Sequence, residues 1–167
     1  MDTERDFAAA AVDTAKYYLG RTVRLLDRVA RRPDADRLLA IRLAPDMFDT
    51  GFQFALAARF AGRALGPPAG RDVPDTPETD LTAARLIEYC DEIGELIEPL
   101  GPGDLGARVL HRAGEADLDQ DTAGYVTCFA LPNMMFHLSM AYAGLRHGGM
   151  DVGKADFDGF HIYRPLA

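Results

Sequence analysis

The chain has 167 residues, of which 48% are hydrophobic and 26% charged. Those proportions suit one globular domain over residues 1–167 and exclude wholesale disorder. With a net charge of -8 and a pI ≈ 4.9, neither a nucleic-acid binder nor a protein held on an anionic membrane is expected.

The charge is uneven. Residues 77–121 carry 3 basic and 12 acidic groups, against 9 and 7 over residues 1–44. One acidic, solvated face is therefore expected around the third helix. Cys90 and Cys128 lie far apart without CxxC spacing, so no disulfide framework or Cys-rich zinc site is implied. The first residues carry acidic charge before any apolar run, which does not read as a secretory signal and fits a cytoplasmic bacterial protein.

Residues 5–31 read as a helix, because Ala8, Val12, Ala15, Leu19, Val23, Leu26 and Ala30 recur at helical spacing and share one face. Pro33 ends it, and residues 35–43 form a short helical or turn segment before Pro45. A second helix is predicted over 46–65, capped by Asp46. Phe48, Phe52, Phe54, Ala58 and Phe60 make it apolar almost all round, hence central in a bundle. The proline-rich segment 66–76 is a loop. Thr76 and Pro77 open a third helix over 77–98, with Leu86, Cys90, Ile93 and Ile97 as its core stripe. Within 107–118, Val109, Leu110 and a Gly114 turn suggest a small β-hairpin.

Residues 122–147 form the last helix. No charged residue occurs from Thr122 to Leu145, a length that would permit a membrane span. Gly124, Thr127, Pro132, Asn133, His137 and Ser139 make the run too polar for one, so a buried bundle helix is expected. Residues 150–167 show no clear period, and 152–167 read as a C-terminal tail. The sum is an all-α four-helix bundle with a small β-hairpin between helices three and four.

Two clusters stand out. Val126, Ala130, Asn133, His137, Met140 and Gly144 follow one line on the last helix, and only Asn133 and His137 among them are strongly polar. Buried polar groups need partners, and their spacing also suits a metal pair. On the second helix Asp46, Asp49, Gln53, Leu56 and Phe60 share a line. Asp46, Gln53, Asn133 and His137 are therefore expected to converge on one polar ligand pocket, unless each is an ordinary structural residue. Gly148–Lys154 spells G-x-x-x-x-G-K, but Ala155 stands where a hydroxyl is needed and a helix precedes it, so no phosphate loop is expected. Cys90 and Cys128 both read as packing residues.

The segments Arg42-Leu43-Ala44-Pro45-Asp46-Met47-Phe48 with Gln53, Leu131-Pro132-Asn133-Met134-Met135-Phe136-His137, Ala141-Tyr142, Leu145-Arg146-His147 and Gly153-Lys154 with Phe157 carry a resemblance. Over roughly residues 5–160 the chain resembles the bacterial domain-of-unknown-function family nineteen-ninety-three, a branch of the DinB-like (DinB/YfiT-like) superfamily. The resemblance implies a DinB-like four-helix bundle and a homodimer. Better-known members of that superfamily bind a divalent metal through three histidines, one on the second helix and two spaced four apart on the last. Some are thiol-dependent transferases or isomerases. Only His137 matches, Asn133 stands at the place of its partner, and the second helix offers Asp46, Asp49 or Gln53. Asparagine is a weak ligand for zinc or nickel, so no tight metal site is expected, although a divalent metal ion is the one cofactor the resemblance allows. Two functions stay open. One is an altered metal- or thiol-dependent enzyme with His137 as ligand or catalytic base. The other is a non-catalytic small-molecule-binding or stress-associated module.

Overall fold

The computed structural model describes residues 3–161, and the side chains of all of these except residues 3–6 and 113. Helix α1 (Thr3–Ala30) buries Ala8, Ala15, Thr22 and Val29 together with Val12, Leu19 and Leu26. That set keeps a seven-residue repeat, the seam of a left-handed bundle, rather than drifting onto Val23 and Ala30 as the sequence pattern suggested. Thr22 joins it at little cost because its hydroxyl donates to the Tyr18 carbonyl at 2.9 Å. After α2 (Ala35–Leu39), helix α3 (Thr50–Leu65) is buried on nearly every side, as its composition predicts.

Two helix starts differ from expectation. Asp49, not Asp46, caps α3, its carboxylate accepting from the Phe52 N–H at 2.8 Å. Pro45–Phe48 stay outside the helix, leaving Phe48 exposed. Helix α4 (Ala83–Ile97) begins after Thr82, whose hydroxyl accepts from the Arg85 N–H at 3.2 Å. Asp80 has φ 54, a left-handed conformation that a helix starting at Pro77 could not contain. Thr76 instead accepts from Arg59 Nη1 at 2.9 Å.

Strands β1 (Arg108–Ala113) and β2 (Ala116–Asp121) pair antiparallel across the Gly114 turn, in the register His111↔Leu118 and Val109↔Gln120. The hairpin reaches three residues further than expected, because Asp121 both ends β2 and caps α5 (Thr122–Tyr125) through the Gly124 N–H at 2.7 Å. The last long helix is interrupted. Val126–Ala130 form a π turn, with the Leu131 N–H bonded to the Val126 carbonyl, before α6 (Leu131–His147). Pro132 has no N–H to continue the α pattern at that point. The additional residue moves the buried face onto Met134, Leu138, Ala141 and Leu145, so Asn133 and His137 lie at its half-buried border. It also turns Cys128 to solvent, against the expectation of burial, while Cys90 is buried and its thiol is pushed up to about 12.

Helices α1, α3, α4 and α6 pack around one apolar core, and α3 with α6 is the most intimate pair. Gly144 makes that approach possible: a Cβ there would overlap Thr50 Oγ1, which itself donates to the Ile41 carbonyl at 2.9 Å. A short α7 (Lys154–Asp158) lies in what was expected to be tail, and residues of the tail beyond 161 are outside the described part. It is clamped to α1. Arg21 donates to the carbonyls of Ala155 (2.8 Å), Asp156 (2.6 Å) and Phe157 (3.2 Å), and Arg28 pairs with Asp156. Among the described residues no helix is long and apolar enough to cross a membrane.

Candidate functional site

Gln53 and His137 meet across the α3–α6 contact. Gln53 comes from a helix buried on nearly every side and is itself buried, while His137 projects from the border of the α6 buried face. The Gln53 Oε1 atom lies 2.7 Å from His137 Nδ1. With Oε1 accepting, Nδ1 carries the proton and Nε2 keeps its lone pair. The ring is stacked on Phe60, centroids 5.6 Å apart and 15° between planes, and meets the edge of Phe136 at 5.2 Å. Burial alone lowers the imidazole from 6.5 to about 4, so the ring is neutral at physiological pH.

Asn133 lies one turn before His137, and its Nδ2 donates to the Phe129 carbonyl at 2.8 Å. Among the described residues no further hydrogen bond is made by Gln53 Nε2, Asn133 Oδ1 or His137 Nε2. Among the described residues no buried side-chain nitrogen or oxygen is left without a partner, so each of these three atoms touches solvent. One amide donor, one amide acceptor and one imidazole acceptor thus stay available around the pair. Asp46 is exposed on the loop before α3 and makes no side-chain hydrogen bond to them. Asp49 is committed to the α3 cap and lies 3.7 Å from Arg42 Nη2.

That donor set does not fit a tightly held transition metal. One imidazole and two neutral amides supply no second strong ligand, and the capping carboxylate is already engaged. The described residues hold no group of three or more His, Cys, Asp and Glu placed for a metal ion.

A second histidine–glutamine pair was not foreseen in the sequence. His111 Nε2 lies 2.6 Å from Gln120 Oε1 across the hairpin, and His111 Nδ1 lies 3.4 Å from Arg63 Nη2. Arg63 also donates to the Arg112 carbonyl at 2.8 Å and spreads its guanidinium over Phe60 (5.3 Å) and Phe129 (4.9 Å). The Tyr125 hydroxyl donates to the Arg63 carbonyl at 2.9 Å, and burial pushes that phenol up. Phe60 therefore touches both sites, His137 with one neighbouring group and Arg63 with another. The alternation Val109, His111 inward and Leu110, Arg112 outward was the available signal, but it required the hairpin register to be known.

The comparisons agree with this architecture. A crystal structure of a DinB family member protein from Shewanella denitrificans is similar over 97% of this chain and 99% of that chain, with a TM-score of 0.79 and 23% sequence identity. At that identity the likeness shows a DinB-like fold. No curated protein matches the chain. The family model described as "Domain of unknown function (DUF1993)" matches residues 7–158, and the chain belongs to that family.

Proposed function

We propose that the protein binds a small polar molecule at an altered DinB-like site, in which Gln53, Asn133 and His137 recognise the ligand by hydrogen bonding. The observation that carries this reading is the set of three polar atoms at the α3–α6 contact that have no hydrogen-bond partner among the described residues and touch solvent. A ligand offering both a donor and an acceptor, such as a hydroxy acid, an amide or a thiol acid, would complement them. Asp46 stays outside the set.

The protonation of His137 favours binding over base catalysis. A general base works best with a pKa near the working pH, and a ring lowered to about 4 is a weak proton acceptor at pH 7. It remains a good hydrogen-bond acceptor at Nε2. The metal-dependent alternative asks for ligands that Gln53 and Asn133 replace with neutral amides.

Ligand-observed NMR with lactate, lactamide and cysteine as probes tests the reading. Wild-type protein should attenuate the signals of at least one probe, and His137→Ala should restore them, with Asn133→Ala intermediate. No attenuation by wild type, or attenuation unchanged in both variants, overturns the proposal. Near-stoichiometric zinc in protein purified without an affinity tag would favour the metalloenzyme reading instead.

A further inference from the structure

A wide cleft lies away from the Gln53–His137 pair. It measures about 690 Å³ and opens between the C-terminal half of α3, the loop 66–76 and the outer side of β1. Arg59, Arg63 and Arg71 line it, with Leu110 and Val73 as apolar walls. In a chain of net charge -8 this is a concentration of cations. Over the Debye length of about 8 Å the local charges, not the total, set the potential felt by a ligand.

The three guanidinium groups are poorly neutralised. Arg63 is half-buried, held flat on Phe60 and Phe129, and has no carboxylate partner among the described residues. A cation removed in part from water without a counter-charge carries a desolvation cost that an anion would offset. Arg71 is exposed, and its guanidinium makes no hydrogen bond or ion pair among the described residues. Arg59 is only 29% exposed, and its ion partner Asp75, 3.8 Å away, is fully exposed and easily displaced. Asp72 also lines the cleft. Arg112 also lines the cleft, but its guanidinium pairs with Glu115 at 3.0 Å.

We propose that this cleft binds a phosphoryl dianion, as free phosphate or as the headgroup of a small phosphate monoester, on Arg59, Arg63 and Arg71. Three forks offer more donors than the two oxygens of a carboxylate can accept, whereas a phosphoryl group has at least three acceptor oxygens and nearly two charges. The volume falls in the range of small-molecule sites and leaves room beyond the headgroup, beside Leu110 and Val73. The proposal stands apart from the Gln53–His137 reading, because none of its three arginines belongs to that set.

Isothermal titration calorimetry of the full chain at pH 7.5, with inorganic phosphate and with phenyl phosphate, tests it. Binding should weaken as sodium chloride rises from 50 to 200 mM, on the order of a few-fold. Arg63→Gln should weaken it at least about tenfold. Because Arg63 also anchors the hairpin, Arg71→Gln serves as the variant that leaves folding intact, with a loss of roughly threefold or more. Arg24→Gln, on the exposed face of α1, should change nothing. Tighter binding of phenyl phosphate than of phosphate supports an organic monoester, and equal binding supports free phosphate. Absence of heat from both probes at millimolar concentration, or binding unchanged in Arg63→Gln and Arg71→Gln, overturns the proposal.

Discussion

In the unfolded chain the His137 imidazole protonates near 6.5, whereas burial lowers it to about 4 in the folded protein. The folded state then holds fewer protons between those values. The stability contributed by the neutral ring is complete above about pH 6.5 and is lost as the pH falls toward about 4. Solvent reaches part of the ring and screens it, so the loss is on the order of 1–2 kcal/mol. We expect His137→Gln to flatten the decline in urea stability between pH 6.5 and 4.5, while His147→Gln, at an exposed position, leaves the decline as in wild type. His161 is a poor control, since it pairs with Asp158. The 3.6-residue period placed Asn133 and His137 on one line, which sufficed to name them, and Gln53 followed from an otherwise apolar helix. Asp46 did not follow, because only the choice of cap decides whether it lies on α3 at all. His111 and Arg63 were hidden because their meeting depends on where a hairpin lands, which no local pattern encodes.

Among the elements, α3 is the one whose boundaries carry the most consequence. Asp49→Ala should remove the cap and cost about 1 kcal/mol, whereas Asp46→Ala should be near-silent, as measured by chemical denaturation. The reverse order would restore the earlier helix start. Gly144→Ala should cost about 1–3 kcal/mol, since the added methyl meets Thr50 Oγ1 in the closest helix–helix contact. Thr50→Ala should recover part of that loss in the double variant, because it removes the atom that is struck. The long helices were legible from periodicity and their stops from Pro and Gly. Their starts were less so, since Asp46 competes with Asp49 and Thr76 with Thr82 for the same role. The π turn left no periodic trace, only a proline where a donor was required, and it alone decides that Cys128 faces out.

For the whole molecule, the absence of strong ligands around His137 predicts that EDTA leaves the Tm unchanged. A drop of several degrees that zinc reverses would show a ligand set richer than one imidazole and two amides. The α1–α7 clamp has a consequence in time rather than in energy. Its contacts, to which the Tyr17 hydroxyl adds a hydrogen bond to the Asp158 carbonyl at 2.5 Å, join residues 128 to 141 positions apart, so they close a long loop. Closing so long a loop is entropically costly until the bundle between the two ends has formed. During synthesis Arg21 emerges at least 134 residues before the carbonyls that it will bind. A contact made after the folding barrier slows escape from the native state without hastening arrival. Stopped-flow measurements on Arg21→Ala should therefore show faster unfolding and an unaltered folding rate. The clamp would then act as a latch, setting how long the folded protein lasts and not how soon it forms.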